Sequence, residues 1–136
     1  MGPINLEEDL KMLELYTADM IAGNLDLLAD HYENIYKGKY IAYCIECIRK
    51  HLRKLSHYAA ECIEGSCRPQ TVWKKVAQWA TEAEPYTDKL GKDDSKTLEL
   101  SQEARLLRKE MEKIINERRK DIKEEELPHK GGVLYE

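Results

Sequence analysis

The sequence predicts an all-α protein folded as a four-helix bundle. Three observations predict it. Apolar residues recur at spacings of three and four along most of the chain, no segment alternates apolar and polar with the period of a strand, and glycine and proline interrupt the helical pattern at only a few points. With 136 residues, 42% hydrophobic and 35% charged, the chain is long and apolar enough for one globular domain, expected over 1–127, followed by a flexible tail over 128–136.

The first helix is expected over about 5–37. Asn5 is a capping residue with Glu8 in the capping-box position, and Glu7, Glu8 and Asp9 suit the positive end of the helix dipole. Leu6, Leu10, Leu13, Tyr16, Thr17, Met20 and Ile21 read as one face. Leu25, Leu28, Tyr32, Ile35 and Tyr36 continue it with modest drift. Gly23-Asn24 offers a place to split this helix, but the continuing stripe favours one helix that tolerates Gly23 at a cost of ~1 kcal/mol.

The second helix is expected over 40–64. Its stripe, Ile41, Cys44, Ile45, Ile48, Leu52, Leu55, Ala59, Cys62 and Ile63, points opposite to the one before Gly38. A continuous helix would have to bury two opposite faces in turn. A tight turn at Lys37-Gly38-Lys39 removes the conflict, and glycine supplies the left-handed residue such a turn needs. Gly65 and Ser66 end the helix.

Pro69 is placed to open a third helix over 70–84, whose face is Val72, Trp73, Val76, Trp79, Ala80 and Ala83. Pro85 closes it, and 85–94 reads as the longest loop. Ser95 or Asp94 caps a fourth helix over 95–126. There Leu100, Ala104, Leu107, Met111 and Ile114 follow heptad-like spacing, with Ile115 and Ile122 close to the same side. The apolar pattern fades at Arg118. Glu124, Glu125 and Glu126 oppose the helix dipole, so this end is expected to fray, with Pro128 as a stop.

Helices one and four outrun helix three, so parts of their stripes call for another partner. A second copy is the simplest one, giving a homodimer. The expected seam lies on helix four, with Leu100, Leu107, Met111 and Ile114 as anchors and Arg105, Arg108, Glu112 and Arg119 at the rim.

Net charge is −4, and the pI near 5.7 gives no global attraction to nucleic acid or anionic lipid. No apolar run approaches the ~18 residues of a membrane span. Met1-Gly2-Pro3-Ile4-Asn5 is followed by no signal-peptide h-region, and Leu6 stands where myristoylation wants Ser or Thr. A cytoplasmic protein is the expectation. Its Lys and Glu richness with few amides matches a leaning of heat-adapted proteins.

Several constellations could carry chemistry. Cys44, Cys47 and His51 flank the apolar stripe of helix two. A hairpin at Gly38 would bring His31 to their level, so His31, Cys44, Cys47 and His51 form a possible metal set. Packed small side chains beside a satisfied histidine are the simpler reading. Cys44 and Cys62 share a helix, about 27 Å apart at the usual rise, so all four cysteines cannot hold one ion. Cys62 and Cys67 straddle a helix end and could form a disulfide. Arg49, Lys50, Arg53, Lys54 and His57 make a basic outer face that could track phosphates. Any amphipathic helix shows such a face to water, and nucleic acid is not the expected partner. With no Phe, Tyr and Trp must supply the core and interface anchors.

Enzyme patterns fail on spacing. Glu61 and Glu64 match half of a magnesium-binding E-x-x-E set, but Glu84 and Asp88 downstream are four apart rather than three. No nucleophile elbow, phosphate loop or dinucleotide fingerprint is present. The expectation is a non-enzymatic bundle without a cofactor that binds a protein partner, itself included. Metal binding and nucleic-acid binding are the alternatives.

Overall fold

The computed structural model of the chain describes residues 6–65 and 71–122, with side chains over 12–64 and 72–122. Four α-helices follow in order: α1 (Leu6–Tyr36), α2 (Ile41–Gly65), α3 (Thr71–Ala83) and α4 (Asp94–Asp121). No strand occurs among the described residues. The all-α four-helix architecture is as expected. The Asn5 cap, Pro69, Cys67, the glutamate run 124–126 and the tail 128–136 lie outside the described residues.

α1 runs unbroken through Gly23, which keeps helical backbone. The chain then reverses at Gly38, whose φ is +75°. Lys39 N donates to Asn34 O at 2.7 Å and Gly38 N to Ile35 O at 2.9 Å. This nested pair of bonds caps the last carbonyls of α1, with glycine at the left-handed position. Tyr40 also takes positive φ, +49°, just before α2 begins.

α1 packs most extensively on α4 and then on α2. α2 carries α3, and α3 only grazes α4. The core between them holds Leu15, Ile21, Leu25, Leu28, Tyr32 and Ile35 of α1, Ile48 and Leu55 of α2, Trp73 and Val76 of α3, and Leu100 and Met111 of α4. Each such side chain contributes ~1.5–3 kcal/mol on burial.

Three local expectations are corrected. The segment 85–94 is not a loop throughout: Glu84–Lys89 forms a 3-10 helix, η1, with Pro85 in its first turn and Thr87 buried. The proline that ends α3 therefore starts the next element, since its missing N–H costs nothing there. Gly91, with φ +85°, then turns the chain toward α4 and sits directly over Ile41. The cap of α4 is Asp93, not Asp94 or Ser95: its carboxylate accepts from Lys96 N at 3.0 Å.

The third correction concerns Arg118. The buried positions of α4 are Thr97, Leu100, Ser101, Ala104, Leu107, Met111, Ile115 and Arg118, with Ile122 just beyond. The inward stripe does not fade at Arg118; it runs through it. The guanidinium, 3% exposed, pairs with the buried carboxylate of Glu14 on α1. A charge stands where the pattern calls for an apolar residue because a charge of opposite sign faces it across the core.

Candidate functional site

The hairpin does bring His31 level with the cysteines and His51. The His31 and His51 rings stack at 5.9 Å, and Tyr43 meets the edge of His31 at 5.9 Å. Asn24 donates its amide to Met20 O at 2.8 Å, which turns its Oδ1 toward His51; His51 Nδ1 donates to that oxygen at 2.7 Å. Burial lowers the pKa of both imidazoles. For His51 the charges of His31, Lys54 and Lys50 add to that effect, while Asp30 opposes it at His31.

The sulfurs do not complete a metal set. Cys44 is buried, and its thiol reaches back to Lys39 O at 3.9 Å. Burial, with the neighbouring Cys47, raises its pKa. The neighbouring Cys47 raises the pKa of Tyr43. No group of three His, Cys, Asp or Glu side chains able to hold an ion exists among the described residues. The hairpin thus brings the expected set His31, Cys44, Cys47 and His51 to one level, but Cys44 reaches back to backbone and the four are not gathered as a group able to hold an ion.

Cys62 is a buried free thiol whose pKa burial pushes up to about 12, helped by Glu14 and Glu61. Cys67, its expected disulfide partner, lies outside the described residues. On the outer face of α2, Arg49 donates to Asp88 of η1 at 2.8 Å, and His57 pairs with Glu61 at 2.8 Å. Lys50, Arg53 and Lys54 remain exposed, interspersed with exposed Glu46, Glu61 and Glu64. The basic face is thus mixed in sign, as a solvated helix surface is.

The seam expected on α4 is closed inside one chain. Leu100, Leu107 and Met111 are buried at 2%, 8% and 0% exposure, and Ile114 packs half-buried on the same core. The rim arginines are also engaged by α1 or by their own helix. Arg105 pairs with Asp30 at 3.1 Å and Glu33 at 3.6 Å, and Arg108 with Asp26 and Glu112 at 3.0 Å each. Arg119 reaches Asp19 at 3.7 Å. The two long helices, 31 and 28 residues, pack along each other, which covers the inward stripe of α4.

What sequence reasoning missed is on α1. Leu13, Tyr16 and Met20, assigned to the core stripe, are 59%, 45% and 44% exposed, and Leu27 is 46% exposed. At 3.6 residues per turn these four share one side of the helix with Gly23. The inward stripe is instead Leu15, Ala18, Ile21, Ala22, Leu25, Leu28, Ala29, Tyr32 and Ile35. α1 thus carries two apolar faces, one covered by α2 and α4 and one open. The 13, 16, 20, 27 spacing was the available signal, but it merges with the core stripe in a linear reading. A concavity of about 250 Å³ lies between α3 and α4. Its walls bond across it: Trp79 Nε1 donates to Glu103 at 3.2 Å and Lys75 to Glu110 at 2.8 Å.

No described helix is long and apolar enough to cross a membrane. The chain matches no protein-family model, no curated protein and no solved structure.

Proposed function

We propose that this protein is a non-enzymatic interaction module that associates with itself through the outer face of α1. The observation that carries this is the open row of Leu13, Tyr16, Met20 and Leu27 on a helix whose other sides are packed. Contiguous exposed apolar side chains are what monomers avoid and interfaces use. The other sites support the reading less directly. Burial raises the pKa of Cys44 and Cys62, which keeps both as thiols rather than primed nucleophiles.

Light scattering coupled to size exclusion, run over a range of concentrations, tests the proposal. The wild-type chain should show a concentration-dependent dimer. Met20→Glu/Leu27→Glu should be monomeric with unchanged helix content, since neither side chain belongs to the core. A wild-type protein that stays monomeric at the highest attainable concentration refutes it.

A further inference from the structure

We propose that Cys47 is a site of covalent modification: its sulfur forms a mixed disulfide with a small-molecule disulfide of the glutathione class, and His51 accepts the proton that the thiol gives up. This is independent of the self-association proposed above.

Two helices build the site. On α2, Tyr43, Cys47 and His51 follow at intervals of four residues, so they share one face with Cβ atoms about 5–6 Å apart at each step. On α1, the His31 ring lies 5.9 Å from the Tyr43 ring and 5.9 Å from the His51 ring. Tyr43 and His51 are separated by about 12 Å of helix at the usual rise, so His31 stands midway between them, level with Cys47. Cys47 is thus bracketed by Tyr43, His51 and His31. Cys47 and both imidazoles are half-buried and Tyr43 is exposed, which leaves this face accessible to small solutes.

Asn24 prepares the proton acceptor. Its Oδ1 takes the hydrogen bond from His51 Nδ1 at 2.7 Å, so Nε2 is the nitrogen with a free lone pair. Helical side chains lean toward the N-terminus of their helix, which sets this ring over the turn that carries Cys47. Burial, with the charges of His31, Lys54 and Lys50, lowers the pKa of His51, so the imidazole is in its proton-accepting form at neutral pH. In the reaction the S–H proton passes to Nε2 and the sulfur attacks one sulfur of the disulfide. The S–S bond breaks, and the departing thiolate takes the proton from His51. One disulfide is exchanged for another, with no net oxidation.

The two buried cysteines lack this setting. Cys44 faces the Lys39 carbonyl, Cys62 lies near Glu14 and Glu61, and burial raises the pKa of both. Around Cys47 the charges suit an anionic disulfide. Lys50 and Lys54 lie beside His51. Tyr43, whose pKa Cys47 raises, adds no charge at neutral pH. Of the acidic groups, Asp30 next to His31 is held by Arg105, and Glu46 is exposed one position before Cys47. Reactive thiols occupy partly exposed, electropositive surroundings of this kind, whereas buried ones are inert.

The full chain tests this with glutathione disulfide as the probe. Cys44 is replaced by serine or alanine, whichever keeps the wild-type helix content, so that the mixed disulfide cannot be passed on to it. Acid-quenched samples are read by peptide mass. Modification of Cys47 should run about tenfold or more faster than that of Cys62, and faster than that of Cys47 in the same chain unfolded in urea. A Cys47 that reacts more slowly folded than unfolded behaves as a packed thiol and overturns the proposal. His51→Gln tests the proton acceptor. An unaided cysteine is only a few per cent thiolate at pH 7, which caps such help at about thirtyfold, so a fall of about three- to tenfold is expected. The two rates should converge above pH ~9, where thiols ionise unaided, and again below the lowered pKa of His51, where the imidazole is already protonated. A ratio that stays constant at every pH, the mark of a merely structural effect, or a fall seen with His31→Gln and not with His51→Gln, overturns the role of His51.

Discussion

Glu14 and Arg118 offer the sharpest test of how this bundle is held together. The arginine side chain is 3% exposed and the glutamate 10%, so the pair is shielded from water. Among the described residues, Asp121 also stands 3.8 Å from the guanidinium, and the buried Nη2 atom has no hydrogen-bond partner. Replacing Glu14 with leucine leaves a buried cation with only partial compensation. Removing one member of a buried pair costs about 3–5 kcal/mol, and the remaining Asp121 places the expectation near the lower end, about 3 kcal/mol. In a chain of this length that lowers Tm by roughly 9–15 °C. Arg118→Met retains most of the arginine stem's packing. The double variant Glu14→Leu/Arg118→Met removes both charges and should return to within about 1 kcal/mol of wild type. Urea unfolding followed by circular dichroism, at concentrations low enough to keep the chain monomeric, measures the four corners of the cycle. If Glu14→Leu costs under about 1 kcal/mol, or if the two substitutions simply add, the pair behaves as a screened surface bridge and its role in anchoring the end of α4 is refuted.

Three further outcomes are expected. Because burial lowers the pKa of His31 and His51, the unfolded chain binds protons more readily. Stability should hold above pH ~6.5 and fall as the pH drops from there toward the folded values. Thermal melts across pH 5–8 should show this, with His31→Gln/His51→Gln flattening the slope, and an unchanged slope in that variant counts against it. Gly91→Ala should destabilise by about 1–2 kcal/mol in urea titrations, since it combines φ +85° with a Cβ 3.2 Å from Ile41 Cγ2. Gly38→Ala, strained but unobstructed, should cost about 1 kcal/mol. At the start of α4, Asp93→Ala should cost about 1 kcal/mol and Ser95→Ala less than about 0.5 kcal/mol. Equal effects would mean that the cap is misassigned.

Much of the fold was legible in the linear pattern. The reversal of hydrophobic direction around Gly38 located the α1–α2 turn, and the φ of +75° shows why glycine stands there. All six residues read as the face of α3 are buried. Within α2 the stripe holds from Cys44 to Cys62, while Ile41 and Ile63 at its ends are partly exposed. The candidate cluster was legible only as proximity. Helix register put His31 beside Cys47 and His51, but it could not show that Cys44 faces the Lys39 carbonyl or that Asn24 occupies His51.

Local periodicity is a property of consecutive residues, so the sequence by itself determined where helices run, where they turn and which of them are amphipathic. Which face meets which neighbour depends on residues a hundred positions apart. Arg118 looked like the end of a core until Glu14 stood opposite it, and Leu107 and Met111 looked like a dimer seam until the fold buried them within one chain. α1 shows the same limit from the other side. A helix apolar on two faces carries no mark of which one turns inward, and only the packing of α2 and α4 left Leu13, Tyr16, Met20 and Leu27 in the open.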